Sequence, residues 1–261
     1  MEDLPILFSV VGADNDGSKL RELVEKNISE EQFIFTDNER PTTVKMRTFV
    51  QNRQVSRADF ESCKPVNKRI LRDMEEQLSK IAPTLSAIII EDYNKGLLTQ
   101  SFIKKILDIA GKFCLKVLVD PKLQNFFSYK GVTLFKPNLR ELSEATSMHV
   151  STADEICEAA TKLREKLDCQ YVMVTMGKDG VCLVDENNDY ISRPAFVRIV
   201  NDPAGAGDTV ISIMASAMAS GASAEESMVI ANYGGGLICE KVGIQSITSA
   251  ELSDAIMRHE R

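Results

Sequence analysis

The sequence predicts an α/β fold in which helices flank a largely parallel central sheet, with a small β-hairpin as a lid. Three observations lead to this fold class. From Leu85 onward apolar strand-like runs alternate with helical patterns, the runs are rich in branched residues, and one hairpin pattern stands apart from them. The chain has 261 residues, of which 44% are hydrophobic, and this suffices for the core of one large α/β domain. We therefore expect a single domain over residues 1–261.

Short and almost continuously apolar runs predict strands that are buried on both faces of the sheet. Apolar residues spaced three and four apart predict the helices between them, and Ser151 or Thr152 with Glu155 resembles a capping box. The opening segment, Met1–Ala13, has the pattern of a further strand. The predicted strands are Leu85–Ile90, Lys116–Val119, Val132–Phe135 and Tyr171–Thr175, the predicted helices are Thr99–Lys112 and Thr152–Leu167, and a structural hairpin is predicted for Val181–Val184 with Tyr190–Ile191.

The segment Thr42–Phe60 predicts an exposed hairpin. Its two halves, TVKMRTFV and QVSRADF, mix apolar with cationic residues and flank a polar turn at Gln51–Arg53. In an α/β enzyme such a ribbon is a candidate lid over the substrate. The alternative is an ordinary edge hairpin.

The charge and the cysteines limit the class of protein. A formal net charge of −7 disfavours binding to nucleic acid or to an anionic membrane, because no excess of cations is available to neutralise phosphates. Six scattered cysteines without a CxxC pair indicate neither a zinc site nor a disulfide framework, and we interpret them as reduced core thiols. Glu2 and Asp3 stand where a signal peptide needs positive charge, and no apolar run is long enough to span a membrane. We therefore expect a cytoplasmic enzyme that acts on small molecules.

Several catalytic motifs are absent from the sequence. Only two histidines occur, His149 and His259, and neither belongs to an HExxH or HxGH motif. The sequence also has no GxSxG elbow, no Walker GxxxxGK[ST] loop and no GxGxxG after a strand. These absences exclude the mechanisms that depend on such motifs.

The most informative segment is the loop Asn201–Thr209, NDPAGAGDT, which is followed by a helical pattern. At such a helix start the N–H groups of Gly205, Ala206 and Gly207 are expected to be unpaired, so that they form an anion hole for phosphoryl charge. A carboxylate beside phosphate is repulsive unless it accepts a proton, and Asp208 is therefore the candidate general base for an attacking hydroxyl. The alternative is that the glycines form a tight turn and that Asp208 caps the helix.

Three strings of the sequence share their order and spacing with the signatures of one family. Asp202–Thr209 matches the form D-x-x-G-A-G-D-T, KPNLRE at Lys136–Glu141 resembles P-N-x-x-E, and VTMGKDG at Val174–Gly180 resembles V-T-x-G-x-x-G. In these strings, and from about Val10 to Ile256, the chain resembles the ribokinase or PfkB family of carbohydrate kinases. The resemblance implies a ribokinase-like fold and ATP-dependent phosphorylation of a sugar hydroxyl.

The resemblance also implies which residues bind MgATP. Asn138 and Glu141 would organise Mg²⁺ and its waters near the ATP phosphates, although on physical grounds alone these two residues equally well start a helix. The residues that the resemblance places at the nucleotide cleft are Thr175, Gly177, Gly180 and Asn232, the last close to the adenine.

A monovalent cation site is a further implication of the resemblance. The loop DPAGAGD, together with Gly243–Ser246, resembles the region that binds such a cation in several family members. Asp202 would be the one side-chain ligand of a K⁺ ion. The alternative is that Asp202 caps a turn.

Three more segments resemble one branch of the family. P-T-x-x-K-x-R occurs in the hairpin, D-Y-x-K-G in EDYNKG and D-P-K in VDPK. The branch is the kinase domain of bacterial ADP-heptose synthases, which phosphorylates D-glycero-β-D-manno-heptose 7-phosphate at its anomeric hydroxyl in ADP-heptose biosynthesis for lipopolysaccharide. A sugar phosphate needs cations in its pocket, whereas cations on a hairpin also occur as a solvated face that protects an edge. Lys95 and Lys122 alternatively face the transferring phosphoryl group. The candidate substrate residues are Lys45, Arg47, Arg57, Asp92, Lys95 and Lys122.

The sequence also departs from the family. It lacks the first strands and a G-G-x-x-x-N sugar-binding segment, so we expect an N-terminally incomplete kinase domain. Pro203 and Ala204 replace a hydrophobic-Thr pair without removing an amide from the anion hole. The resemblance and the hairpin suggest a homodimer. The alternative functions are a kinase for another sugar and a catalytically impaired nucleotide-binding or interaction module.

Overall fold

The computed structural model describes residues 4–28, 32–50, 53–196 and 202–259. Gln51 and Asn52 of the predicted hairpin turn, and Asn201 of the glycine-rich loop, lie outside these residues. The described chain groups into two compact units, and the expectation of a single domain stays a prediction. One unit comprises the residues up to Pro83 together with Asn94–Ile109, and the other comprises Thr84–Tyr93 together with the residues from Ala110 onward.

The first unit begins with two parallel strands, β1 (Phe8–Val11) and β2 (Phe33–Thr36), which are joined by helix α1 (Asn15–Asn27). β1 confirms the strand that the opening residues predict. Asp14 caps α1 by accepting a hydrogen bond of 2.8 Å from an amide of the first turn. The same carboxylate accepts hydrogen bonds from the amide and the hydroxyl of Thr42, at 2.8 and 2.7 Å. Asp14 therefore links the start of α1 by hydrogen bonds to Thr42, just before the hairpin.

The predicted hairpin at 42–60 is confirmed as β3 (Val44–Val50) and β4 (Arg53–Phe60), which pair antiparallel. Among the described residues these two strands pair only with each other. The alternative of an edge hairpin in a larger sheet is therefore wrong. The role of the hairpin as a lid stays a prediction.

The predicted sheet lies in the second unit and has six strands: β5 (Ala87–Glu91), β6 (Lys116–Asp120), β7 (Leu134–Phe135), β8 (Tyr171–Thr175), β9 (Val181–Val184) and β10 (Tyr190–Arg193). Their order across the sheet is β10-β9-β8-β7-β6-β5. The strands from β5 to β8 are parallel, and β9 and β10 form the predicted second hairpin, antiparallel to β8. The prediction of a largely parallel sheet is confirmed, and β7 is shorter than its apolar run.

Helices cover the faces of this sheet. Leu118, Leu134 and Met173 of the strands pack in one core with apolar residues of two helices, α6 (Ala206–Ala219) and α7 (Ala224–Glu240). Val172 and Val174 are equally buried, and alternate side chains of a strand point to opposite faces, so the second face is covered as well. The helices of this unit are α4 (Leu139–Thr146), α5 (Ala153–Leu167), α6 (Ala206–Ala219), α7 (Ala224–Glu240) and α8 (Ser249–His259).

Both predicted helices are confirmed. One is α5; the other is α3 (Gln100–Lys112), which follows α2 (Lys68–Ile81) in the chain. Thr152, rather than Ser151, is the cap of α5, and Glu155 completes its capping box. In the described part of the chain, no helix combines the length and the apolar character that crossing a membrane requires.

The triple glycine Gly234–Gly236 of α7 permits close packing. A Cβ on Gly236 would lie 1.5 Å from the carbonyl oxygen of Phe196, and a Cβ on Gly234 would lie 2.1 Å from Cδ1 of Ile213. The glycines therefore allow α7 to approach α6 and the chain that follows β10.

The cysteines are free thiols, as expected, but their burial differs from the prediction. Cys63 and Cys114 stand in the loops after β4 and α3, where their side chains are exposed. The expectation of core thiols is therefore wrong for these two. The other four are buried or half-buried: Cys157, Cys169, Cys182 and Cys239.

Candidate active site

The carboxyl ends of the four parallel strands meet at one edge of the sheet, which is where open α/β sheets bind ligands. Glu91 and Asp120 are the last residues of β5 and β6 and are partners in the register. Lys136 directly follows β7, and Thr175 ends β8. Polar side chains from neighbouring strands therefore lie along this edge.

Helix α6 begins next to these strand ends with an open first turn. Gly205 is its cap, with a φ of 83°, and has no side chain to hydrogen-bond the helix amides. Within the described residues the amides of Gly205 and Gly207 have no acceptor, whereas the Ala206 amide donates to the carbonyl oxygen of Pro203 at 3.2 Å. The expectation of three unpaired amides is wrong for Ala206, because the turn before the helix closes on it. Two amides remain for an anion.

Asp208 lies in the first turn of α6 with its side chain exposed. Because Gly205 is the cap, the alternative that Asp208 caps the helix is wrong. Burial and then the charges of Glu91 and Asp208 raise the pKa of the Tyr93 hydroxyl. One carboxylate oxygen from each of Asp208, Glu91 and Asp120 lies within 4.8 Å of the other two. Asp208 is thus an accessible carboxylate at the polar strand ends.

Burial and, after it, the neighbouring carboxylates raise the pKa of Glu91 above its usual range. The pKa of Glu91 is raised to about 8, chiefly by burial and then by the charges of Asp120 and Asp208, while Lys136 and Lys122 act in the opposite direction. Carboxylates at this spacing can share a proton or coordinate a divalent cation. A neutral Glu91 reduces the repulsion around Asp208.

Asn138 and Glu141 start α4 with a reciprocal capping box. Asn138 Oδ1 accepts a hydrogen bond from the Glu141 amide at 2.9 Å, and Glu141 Oε2 accepts one from the Asn138 amide at 3.0 Å. The interpretation that these residues start a helix is therefore confirmed. Lys122 Nζ donates to Glu141 Oε1 at 2.8 Å. Partial burial lowers the pKa of Lys122, but this hydrogen bond and the charge of Glu141 outweigh it, so the pKa is raised.

Thr175 is brought next to the start of α4. Its amide donates to the carbonyl oxygen of Pro137 at 3.1 Å, and Asn138 forms a parallel bridge with it. Gly177 begins the short 3-10 turn that follows β8. The structure therefore brings Asn138, Glu141 and Thr175 together, and their roles toward magnesium and nucleotide stay predictions.

Gly180 and Asn232 contact the chain after β10. Gly180 has a φ of 96°, and a Cβ there would lie 2.1 Å from the carbonyl oxygen of Arg193. Asn232 Nδ2 donates to the carbonyl oxygen of Pro194 at 2.7 Å. Both residues therefore contact the same backbone segment, Gly180 by close approach and Asn232 by a hydrogen bond. Their contacts with a nucleotide stay predictions.

Asp202 forms a turn, as one of its two interpretations predicts. Its Oδ1 accepts a hydrogen bond from the Ala204 amide at 2.9 Å. In the segment at 243–246, the carbonyl oxygen of Ser246 accepts a hydrogen bond from Lys241 Nζ at 2.7 Å. The role of Asp202 as a K⁺ ligand stays a prediction.

The candidate cations of the hairpin lie on one face of it. Lys45 is paired with Asp59 across the strands, and Arg47 is paired with Arg57. Arg57 also donates to both carboxylate oxygens of Asp59, at 2.8 and 2.7 Å. This face therefore combines three cations with one carboxylate, and a role in substrate binding stays a prediction.

Asp92 and Lys95 are held by other residues of the chain. Asp92 is 3% exposed and accepts hydrogen bonds from the Tyr129 hydroxyl at 2.7 Å and from Asn125 Nδ2 at 3.1 Å. Lys95 forms an ion pair with Glu61 in the first unit. These contacts give both side chains a structural role within the chain. Their proposed contacts with substrate stay predictions.

Sequence reasoning missed Glu91, Asp120 and Lys136 as members of the site. Each ends or directly follows a predicted parallel strand. Their position at the ends of predicted strands could have identified them from the sequence, since the carboxyl ends of parallel strands share one edge.

Comparison with known proteins identifies relatives of the chain. A family model for pfkB family carbohydrate kinases matches residues 6–251. The bifunctional protein HldE of Haemophilus influenzae is 35% identical over 250 residues, which cover 96% of this chain and 51% of that protein. HldE of Aliarcobacter butzleri is 34% identical over 250 residues, which cover 94% of this chain and 51% of that protein. The chain therefore spans about half the length of the curated relatives it matches.

Solved structures share the fold at lower identity. Phosphofructokinase-2 from Escherichia coli in complex with potassium aligns with a TM-score of 0.80 at 18% identity, over 98% of this chain and 82% of that one. Ribokinase from Arabidopsis thaliana complexed with ribose and ATP aligns with a TM-score of 0.77 at 19% identity, over 97% of this chain and 82% of that one. These alignments confirm the ribokinase-like fold. The family model and the HldE relatives show that the chain belongs to the pfkB family of carbohydrate kinases.

Proposed function

We propose that the chain transfers the γ-phosphoryl group of ATP to the anomeric hydroxyl of D-glycero-β-D-manno-heptose 7-phosphate. The observation that carries the proposal is the position of Asp208, an exposed carboxylate on the same helix turn as the amides of Gly205 and Gly207. A kinase of this kind needs both parts, because the base takes a proton from the hydroxyl while the amides stabilise phosphoryl charge.

In the proposed step the sugar oxygen attacks the γ-phosphorus, and its proton passes to Asp208. The bond between the γ-phosphorus and the bridging oxygen breaks, and ADP leaves. The amides of Gly205 and Gly207 donate to the phosphoryl oxygens, and the positive end of the α6 dipole adds to this effect. Catalysis then depends mainly on alignment and charge stabilisation.

Asn138 and Glu141 are the proposed residues for magnesium. Glu141 is 7% exposed, and both its carboxylate oxygens already accept hydrogen bonds, from Lys122 and from the Asn138 amide. Further lone pairs remain on these oxygens, so the pair fits contacts through bound water better than direct coordination. A divalent cation, when bound, neutralises charge on the ATP phosphates. The proposed nucleotide residues around them are Thr175, Gly177, Gly180 and Asn232.

Two observations support a heptose phosphate as the acceptor. The HldE relatives are 34–35% identical to the chain over most of its length. The hairpin face with Lys45, Arg47 and Arg57 has an excess of cations over the carboxylate of Asp59, as the recognition of a phosphorylated sugar requires.

The proposal is tested by measuring ADP release with a panel of acceptors, each with and without Mg²⁺. The panel comprises D-glycero-β-D-manno-heptose 7-phosphate, fructose 6-phosphate, ribose and no sugar. We expect turnover with the heptose phosphate that requires Mg²⁺. Turnover with another member instead would show a kinase for a different sugar. Binding of ATP in calorimetry without turnover on any acceptor would contradict a catalytic role.

A further inference from the structure

Lys136 is a buried cation that has no role in the phosphoryl transfer proposed above. Its side chain is 3% exposed, and Nζ donates to Asp120 Oδ2 at 2.8 Å. The Asp120 side chain is 15% exposed. Withdrawing an ammonium group from water is costly, and a lysine is retained at such a place when a partner compensates for it. The carboxylate of Asp120 is that partner and fixes where the lysine charge lies.

The Lys136–Asp120 pair lies against the first turn of α6. A Cβ built on Gly207 would lie 3.4 Å from Asp120 Oδ2 and 3.5 Å from Lys136 Nζ. These are van der Waals distances, so no other atom separates the pair from the backbone of Gly207. The two side chains come from the carboxyl ends of β6 and β7. The sheet therefore places a cation beside the amides proposed to receive the phosphoryl group.

We propose that Lys136, held in place by Asp120, supplies positive charge to the phosphoryl-binding amides at the start of α6. The inference rests on the proposed function of that helix turn, but it applies whichever sugar is the acceptor. An ammonium group has three donor hydrogens, so Lys136 can bind Asp120 and still attract an anion. Asp208 lies close to Asp120, so this cation also offsets negative charge that would repel the γ-phosphate.

The two partners of the pair have opposite effects on an anion at this place. Lys136→Met removes the cation and leaves the charge of Asp120. Asp120→Asn removes the anion, keeps a side-chain oxygen that accepts from Lys136, and leaves the cation unopposed. If the pair were only a packing element, both changes would weaken the site in the same direction. The sign of the Asp120→Asn effect therefore separates electrostatic support from structural support.

The experiment is calorimetric titration of the full chain with MgATP and with MgADP, in the absence of sugar. For Lys136→Met we expect the affinity for MgATP to fall about tenfold and that for MgADP to fall less than about twofold, because only ATP carries the γ-phosphate. For Asp120→Asn we expect MgATP binding to be retained or tightened. The matched control is Lys162→Met, which removes an exposed lysine paired with Glu158 and is expected to change neither affinity.

Removing one partner of a buried pair is destabilising, so thermal unfolding is recorded for each variant. If Lys136→Met does not fold, Asp120→Asn decides alone, since it keeps the hydrogen bond. Equal weakening of MgATP and MgADP, no change in Lys136→Met, or loss of MgATP affinity in Asp120→Asn would overturn the inference. So would an unaltered chain that binds no MgATP. Failure of every sugar in the acceptor panel would contradict the proposed function and leave this result independent of it.

Discussion

Lys122 Nζ lies 2.8 Å from Glu141 Oε1, and this contact joins the loop after β6 to the first turn of α4. The other oxygen of the same carboxylate accepts the Asn138 amide. Glu141 therefore links two neighbouring strand ends while it caps a helix. Structural and catalytic roles are compatible here, because a carboxylate has about four acceptor sites and the helix start uses only part of them.

This link predicts a loss of stability in Lys122→Met. The lysine side chain is 44% exposed and that of Glu141 is 10% exposed, so the change leaves a nearly buried carboxylate with fewer partners. We expect the free energy of unfolding to fall by about 1 kcal/mol, as measured by urea denaturation. Lys162→Met, from an exposed pair, serves as the control and should change stability by less than about 0.5 kcal/mol. Equal effects of the two substitutions would contradict the account.

The close packing of α7 predicts that Gly236→Ala is strongly destabilising. Its Cβ would lie 1.5 Å from the Phe196 carbonyl oxygen, so the backbone must move. We expect a loss of about 3 kcal/mol in the free energy of unfolding. Gly111→Ala in α3 is the control: no atom lies within 4 Å of its Cβ, and a gain of up to about 0.5 kcal/mol is expected. A neutral Gly236→Ala would refute the close approach.

Glu91 predicts a specific dependence of stability on pH. Its folded-state pKa is raised to about 8, above the ordinary value of 4.5 that applies to the unfolded chain. Between these values the folded state holds a proton that the unfolded state has released, so the free energy of unfolding falls as pH rises. Glu91→Gln has no proton to release and lacks this contribution. Between about pH 5 and pH 8, without divalent cations, we expect the unaltered chain to lose about 3 to 4 kcal/mol more than the variant. Parallel stability curves would show that Glu91 is ionised in the folded state.

The proposed role of the hairpin predicts that a substitution there changes the KM for the sugar phosphate but not the KM for ATP. If Arg47 binds the phosphate of the acceptor, Arg47→Ala should raise the KM for the sugar phosphate about tenfold and change the KM for ATP little. The exposed residue Lys26 in α1 provides the control substitution Lys26→Ala, which should alter neither constant. Unchanged KM values in Arg47→Ala would support the interpretation of a solvated hairpin face.

The sequence predicts the fold well where a pattern is local. The periodicity of α5, its capping box with Glu155 and the continuous apolar run of β8 are all short-range signals, and the structure confirms them with Thr152 as the cap. The position of Asp208 at a helix start is equally local, since it follows from the glycine-rich loop before it. The other features of the fold and the site depend on contacts between residues that are distant in the sequence. Asp92 is buried by Asn125 and Tyr129, which are 33 and 37 residues away in the chain.

The same limit applies to the electrostatics of the site. The raised pKa of Glu91 depends on its burial and on the charges of Asp120 in β6 and Asp208 in α6, against the opposing charges of lysines in the loops after β6 and β7. The pair of Lys136 with Asp120 likewise joins residues 16 positions apart. Such contacts cannot be predicted from the spacing of residues in a single sequence, although the ends of predicted parallel strands indicate where to expect them.

The most direct test of the central claim is Asp208→Asn, with turnover and MgATP binding measured on the same preparation. Asparagine keeps the size of the side chain but is a far weaker proton acceptor, so we expect kcat to fall roughly a thousandfold while the MgATP affinity stays within about twofold. Asp154→Asn, which alters an exposed carboxylate in the first turn of α5, is the matched control and should retain full turnover. Turnover in Asp208→Asn within about tenfold of the unaltered chain would contradict the assignment of Asp208 as the general base.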